Sequence, residues 1–467
     1  MPDVRLNHTT IESLASSLRG ALLRPDGDGY EEARGLWNAM IDERPALIVR
    51  CTGAADVIAA LAFAREHGLT VAVRGGGHNV AGLATVDGGM MIDLSRMRAV
   101  HVDPEARIAR VQGGALWGDV DHETQAFGLA TPSGIISTTG VAGLTLGGGF
   151  GWLARAYGLA ADNLVSADVV TADGELVRAS EQEHADLFWA IRGGGGNFGI
   201  VTEFTFRLHA VGPEVLFGPT VYRLEDAPEV LRHYRAFTAD MPNECTVYPD
   251  FLTAPPLPFL PEEVHGSKVL FLIQCYAGDV AKGEEVLRPL REFGRPIADA
   301  VAPTPYPEAQ RRSDPLFPKG GRYYWKSHNL AALSDGVVDT LAECASTMPN
   351  PLCDILVQQL GGRMGEIAPD ATAYPHRDAG FVVTLGGRSE RPAEDDACID
   401  WARACHSRLG RHGATGVYMN FLSRDEGDER LQAAFGDNAE RLQRVKTRFD
   451  PDSVFRRNHT FEPRRGS

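Results

Sequence analysis

Residues Arg74 to Asn79 read Arg-Gly-Gly-Gly-His-Asn, three glycines in a row ahead of an imidazole. Glycine loses more backbone freedom on folding than any other residue. A run of three is expected where the chain must reach unusual angles or bring its backbone close to something. Successive backbone N–H groups in such a turn form a concave nest that holds an anionic phosphate without a charged side chain. The histidine at the rim adds a nitrogen nucleophile. Two more glycine-rich stretches follow, Thr131 to Gly158 and Asp186 to Leu208. Ordinary tight turns explain any one of these clusters. Three in the first half of one chain point to a single extended ligand carrying a pyrophosphate.

Two common phosphate signatures fail on context. A dinucleotide fingerprint opens directly into a helix and places an acid about 20 residues further on. Here the loop runs into more loop and a strand. A P-loop needs Gly-Lys-Ser or Gly-Lys-Thr after its glycines, and no cluster has it. A histidine at the rim of a pyrophosphate nest would instead lie beside the flavin ring of an FAD, whose electrophilic carbons an imidazole nitrogen can attack.

The elements that must carry these loops are legible from periodicity. Ala54 to Gly68 reads as an amphipathic helix closed by glycine. "LTVAVR" follows as a strand. After the first glycine loop comes a turn at Asp87-Gly88-Gly89 and a short apolar strand, Met90 to Leu94. "AVHVD" and "RIARVQGG" form a hairpin, "ALWGDVDHETQAFG" a helix, and "LVSADVVTADGELVRA" a hairpin turning at Asp173-Gly174. Near Val211-Gly212-Pro213 the glycine clusters thin out. Strands such as "KVLFLIQCYAG", "YYWKSHNLAAL", "CDILVQQLGG" and "GFVVTLGG" then alternate with helices, which reads as a second α+β domain. The Pro-rich "TAPPLPFLPEE" is expected to be a surface excursion or a lid element. The final stretch reads as one helix stopped at Asp450-Pro451, with a tail that packs back on the first domain.

Length and composition bound the function. A chain of 467 residues exceeds one compact core and implies two domains or three. A net charge of −16 argues against nucleic acid or an anionic membrane as partner. The seven cysteines form no Cys-x-x-Cys pair, so reduced, buried thiols in a cytoplasmic protein are expected rather than zinc or disulfides, and no metal. The first twenty residues lack the apolar core of a signal peptide. No apolar run approaches the roughly 20 residues a membrane span needs. The sequons at Asn7 and Asn458 are read as chance occurrences.

Taken together, "VAVRGGGHNVAG", "TPSGIISTTGVAGLTLGGGFGWLARAYGLAADNL", "DLFWAIRGGGGNFGIVTEF" and "YMNFL…DPDSVFRRNHTF" resemble, in order, the berberine bridge enzyme-like FAD-linked oxidases. These belong to the vanillyl-alcohol oxidase / p-cresol methylhydroxylase superfamily. The resemblance covers nearly the whole chain. It implies an α+β, two-domain PCMH-type fold. The FAD domain would be split between residues 1–210 and a returning segment, 416–467. The substrate domain, 211–415, would be inserted between them on an antiparallel sheet covered by helices.

The resemblance also implies roles. His78 would bond covalently to the flavin 8α-methyl. Arg74, Gly75, Gly76, Gly77 and Asn79 would cradle the pyrophosphate, with Val80 and Gly82 continuing that loop. Gln112, Gly134, Ser137 and Thr138 would join the cofactor lining. So would Gly140, Gly143 and Leu144, with Gly147 and Gly148 in the tight turn after them. Asn197, Gly199, Ile200 and Val201 match the third FAD loop. Many relatives carry a cysteine in the second motif that makes another flavin bond. Ile136 stands there, so a single covalent bond is expected, as in the mono-covalent members.

Catalysis in such an enzyme is hydride transfer from a substrate C–H to flavin N5, with the protein supplying position and a base. In "CDILVQQLGG", alternation puts Asp354, Leu356 and Gln358 on one face. Gln358 matches a polar substrate-contacting position, yet an amide is no base at neutral pH. Tyr418 and Asn420 match the family's Tyr-x-Asn-Tyr, from which Phe421 departs. Tyr418 is the first choice for a base or an orienting hydroxyl. As a base it needs a lowered pKa, for which Lys326 is the candidate cation. With no charged cluster evident, the substrate is expected to be a neutral, fairly apolar small molecule: an alcohol, sugar, amine or secondary metabolite. O2 is the expected acceptor, giving H2O2, from a monomer or homodimer. A dehydrogenase with another acceptor, or a non-catalytic flavin-binding protein, are the alternative readings.

Overall fold

The computed structural model describes residues 8–460, 462 and 463, so Asn7 lies outside the described residues. The strand Val71–Arg74 runs parallel to Met90–Asp93, which also pairs in parallel with Leu47–Arg50. Ala21–Leu23 closes the far edge antiparallel. Parallel neighbours need a crossover, usually a helix. Ala54–Glu66 makes the crossover from Leu47–Arg50 to Val71–Arg74, which lie on either side of Met90–Asp93, and buries Val57, Ala60, Leu61 and Ala64 in the core. Between Val71–Arg74 and Met90–Asp93 there is no crossover helix. The glycine loop takes its place, which is why His78 stands clear of the sheet.

A second sheet of five antiparallel strands follows. The hairpins Val100–Asp103/Ile108–Gln112 and Leu164–Val170/Leu176–Ser180 flank Ile200–Arg207. Both hairpins turn where the sequence places them. The helices Trp117–Gln125, Val141–Leu146 and Ala185–Ala190 bury Trp117, Val141, Phe188 and Trp189 in one core with this sheet.

From Glu214 the architecture changes to a nine-stranded sheet, antiparallel throughout, that ends with Ala414–Gly416. Its long strands include Cys245–Thr253, Asp354–Gln359, Phe381–Ser389 and Arg322–Leu330. Helices Ala227–Thr238, Val280–Arg291, Asp335–Ser346 and Asp395–Leu409 cover one face. Val247, Ile355, Val357, Val383 and Leu385 point into that core beside Leu231, Leu341 and Trp401. The alternate residues, among them Asp354, Leu356, Gln358 and Thr384, face the other way, into a cleft.

The C-terminal stretch departs from the single helix expected. It forms two helices, Asp428–Phe435 and Ala439–Phe449, broken at Gly436, whose φ of +47° an L side chain rarely adopts. The stretch packs against the first half of the chain. Fully buried Lys446 pairs with Asp450 and donates to the carbonyls of Asn197 and Phe455. Phe455 packs in the core of the parallel sheet.

Candidate active site

The three glycine regions converge on one cleft of about 310 Å³. The first loop is shaped by close backbone contact. A Cβ at Gly76 would lie 2.5 Å from the Gly140 backbone, and one at Gly140 would lie 2.4 Å from the Gly76 nitrogen. Gly77 has φ +70°. So the first and second loops touch through backbone alone. Gly76→Ala is expected to destabilise the protein by at least about 2 kcal/mol, because neither backbone can yield. Thermal unfolding of the purified variant, together with its flavin content, measures this.

Among the described contacts, the backbone N–H groups of Gly75, Gly76, Gly77, His78 and Asn79 donate to no protein acceptor. Five consecutive amides are thus available in a cleft whose only Lys or Arg among the described residues is Arg388. Gly143 lines the same wall, and a Cβ there would meet nothing within 4 Å. The Oδ1 of Asn197 and the Nε2 of His459 are buried there without hydrogen-bond partners. A ligand with a pyrophosphate, an extended polar body and a flat ring fits this set of groups, which is the donor chemistry FAD requires.

His78 is fixed on two sides. Its ring stacks on Trp37, centroids 4.6 Å apart at 19°. Its Nε2 lies 3.0 Å from Thr138 Oγ1. Desolvation pushes its pKa down to about 4, so the imidazole is neutral at physiological pH. Trp37 in turn stacks on Tyr323 at 3.7 Å and donates from Nε1 to the Phe317 carbonyl. Trp37 comes from a segment, Gly35 to Met40, that carries no motif, so sequence reasoning had no signal for it.

At the opposite side, the Tyr418 hydroxyl accepts from the Gly149 N–H at 3.0 Å and from Asn420 Nδ2 at 2.7 Å. A Cβ at Gly147 would come within 2.1 Å of Asn420 Oδ1, so that glycine makes room for the amide. Burial raises the Tyr418 pKa well above its ordinary value, more than these two bonds lower it. The expectation of a base with a lowered pKa is therefore corrected: Tyr418 is a protonated phenol whose own hydrogen remains to be donated. Gln358 is 2% exposed and its Oε1 has no partner.

Lys326 is the second correction. Strand alternation turns Trp325 toward the cleft and Lys326 away from it, where Nζ pairs with Asp425 at 2.9 Å and Glu426 at 3.0 Å. Lys326→Met leaves the buried Glu426 short of one partner. A loss of about 3 kcal/mol in stability is expected, with turnover per folded molecule unchanged; denaturant melts and active-site-normalised kinetics measure the two.

Several cofactor candidates support the cleft without lining it. Arg74 pairs with Asp93 and donates to the Ala33 carbonyl. Val80 packs with Trp37 and Tyr323, and Gly82, at φ +74°, sits against Ile41. Gln112 closes its hairpin through the Ala99 N–H. Ser137 donates from Oγ and N to Asp314. Thr138 reaches His78, and Gly148 packs on Tyr374. Loops that hold a ligand need a layer behind them, and sequence matching does not separate the layers. Gly75, Gly76, Gly77, Asn79, Gly134 and Gly140 line the cleft. So do Gly143, Leu144, Asn197, Gly199, Ile200 and Val201, with Ile136.

A cluster the sequence concealed also lines the cleft: Asp354 and Arg388, with Asp250 behind them. The expectation of a chamber without a charged cluster is corrected accordingly. Asp250, Asp354 and Arg388 lie on three different strands, and only the sheet register brings them together.

This fold and cleft define a flavin-binding oxidoreductase. The family model described as "FAD binding domain" matches residues 45–180, and "Berberine and berberine like" matches 417–460. The chain is 31% identical over 460 residues to (R)-6-hydroxynicotine oxidase of Paenarthrobacter nicotinovorans, covering 96% of this chain and 97% of that one. It is 30% identical over 464 residues to xylooligosaccharide oxidase of Thermothelomyces thermophilus, covering 91% and 89%. The solved structure of 6-hydroxy-D-nicotine oxidase from Arthrobacter nicotinovorans superposes with a TM-score of 0.86 at 28% identity, covering 96% and 99%. The chain belongs to the berberine bridge enzyme-like family of FAD-linked oxidoreductases. It is an FAD-dependent oxidase. Among the described residues no helix is long and apolar enough to cross a membrane, and no cluster suits a metal ion.

Proposed function

We propose that FAD is bonded to this chain through His78 alone, and that the enzyme oxidises a C–H beside a hydroxyl or amine nitrogen of a small molecule, with O2 as acceptor. The observation that carries this reading is the row of five free amides from Gly75 to Asn79 with a neutral imidazole in their midst. Bound FAD supplies the hydride acceptor and passes the electron pair onward. The amides hold the pyrophosphate, and among the described residues Arg388 alone of the Lys and Arg side chains lines the cleft, which suits a nest. Thr138 Oγ1 occupies Nε2 of His78 and leaves Nδ1 as the atom that bonds. Ile136 offers no thiol for a second bond.

Tyr418 donates its hydroxyl hydrogen to the substrate heteroatom, and Gln358 Oε1 accepts from the substrate O–H or N–H. Neither takes a proton at neutral pH, so both orient the reacting carbon: an amine nitrogen's lone pair supports the iminium left by hydride loss, and the O–H proton of an alcohol passes to solvent water as the hydride leaves. Phe150, Leu356 and Phe421 wall the same space and exclude water. The test is a peroxide-coupled screen of alcohols and amines. Stoichiometric peroxide for each molecule oxidised is expected. Turnover that proceeds with an artificial electron acceptor but yields no peroxide in air would sink the oxygen assignment.

A further inference from the structure

The polar wall of the cleft has two ends. Gln358 pairs in register with Val382, which packs in one cluster with Tyr418 and Phe150. Asp354 pairs with Gly386, and Arg388 pairs with Tyr323, which stacks on Trp37. Four residues of strand separate the ends, about 13 Å at the usual rise. Thr384, opposite Leu356, lies between them with its hydroxyl unpartnered.

At the Asp354 end the geometry is unusual. Asp354 Oδ1 and Arg388 Nε are 3.4 Å apart, yet neither makes a hydrogen bond. Asp354 is only 5% exposed. Gly386 makes room for it, since a Cβ there would lie 2.2 Å from Oδ1. Arg388 is held in place: its guanidinium lies over the Phe317 ring at 4.3 Å, and Nη1 donates to the Leu316 carbonyl. Asp250, opposite Leu356 on the adjoining strand, also has an unpartnered Oδ1. Burial, and after it the neighbouring Asp354, raise its pKa well above the ordinary carboxylate range. Asp354, whose pKa burial raises to about 6 against the pull of Arg388, is the carboxyl that faces that guanidinium.

We propose that Asp354 and Arg388 form a recognition subsite for a neutral substrate group that both donates and accepts a hydrogen bond, a hydroxyl or an amide. Such a group donates to Oδ1 and accepts from Nε, satisfying two buried atoms at once. An ammonium would leave Arg388 uncompensated, and a carboxylate would leave Asp354 so. The substrate is accordingly an elongated molecule with a polar group remote from the carbon that is oxidised. This subsite rests on the reading that substrate occupies the cleft beside FAD.

The test uses the flavin-loaded enzyme and four nine-carbon probes: the terminal diol, the amino alcohol, the hydroxy acid and the simple alcohol. Perturbation of the flavin spectrum and of the unfolding midpoint report binding. The diol is expected to bind at least tenfold more tightly than the other three. Asp354→Asn should move the preference to the hydroxy acid, and Arg388→Met to the amino alcohol. If one variant does not fold, judged by circular dichroism, the other carries the test. A charged probe preferred by the wild type, a preference unchanged in the variants, or no binding by any probe would overturn the subsite. Asp354→Asn that binds the diol normally but loses turnover would make Asp354 a base, and so also overturn it. Wild-type protein without flavin would count against the function itself, while the unfolding midpoints would still read the subsite.

Discussion

Replacing His78 by alanine is expected to abolish acid-stable flavin. In the wild type, flavin stays with the acid-precipitated pellet and fluoresces on a denaturing gel. In His78→Ala all of it moves to the supernatant, although FAD still binds, because the amides of Gly75 to Asn79 are unchanged by a side-chain truncation. Turnover is expected to fall at least about tenfold, a rise of about 1.4 kcal/mol in the barrier, as the ring loses its anchor beside Trp37. The pH dependence has a definite sign. Burial lowers the imidazole pKa to about 4, so the nucleophilic neutral form is full above roughly pH 5. The rate of tether formation should therefore be flat from neutral to alkaline pH with respect to His78. Flavin that remained covalently attached in His78→Ala would remove the assignment.

Tyr418→Phe carries the second large effect. The hydroxyl accepts from Gly149 N–H and Asn420 Nδ2, and both donors are left unsatisfied when it goes. A stability loss of about 1–3 kcal/mol follows from such orphaned groups. Turnover is expected to fall about a hundredfold, the size seen when one aligned donor is deleted from an active site. Flavin stays bound and tethered. Because burial raises the phenol pKa, the protonated donor persists through pH 10. The wild-type rate profile should then show no limb from Tyr418 between pH 7 and 9. A limb in that range that vanishes in Tyr418→Phe would establish a tyrosinate base and overturn the orienting role.

The sequence by itself determined the loops, the order of the strands along the chain and the family. Glycine runs are local: three in succession have few physical explanations, and His78 lies inside one. Period-two alternation put Asp354, Leu356 and Gln358 on one face of their strand, and the sheet keeps them there, because a one-residue slip would turn Ile355 and Val357 out of the core. The same alternation, read across the strand "YYWKSHN", would have turned Lys326 away from Trp325. Residue type alone offers Lys326 as a cation for Tyr418, but the face it lies on takes it to Asp425 and Glu426 instead.

Only the tertiary structure decided which residues meet. Trp37 reaches His78 across a gap of sequence with no motif. Asp250, Asp354 and Arg388 become neighbours through the pairing of three strands far apart in the chain. The state of Tyr418 was settled by burial, which sequence does not specify and which outweighed its hydrogen bonds. Local chemistry is written residue by residue. Proximity and desolvation depend on how distant segments pack, and desolvation is what lowers the pKa of His78 and raises that of Tyr418.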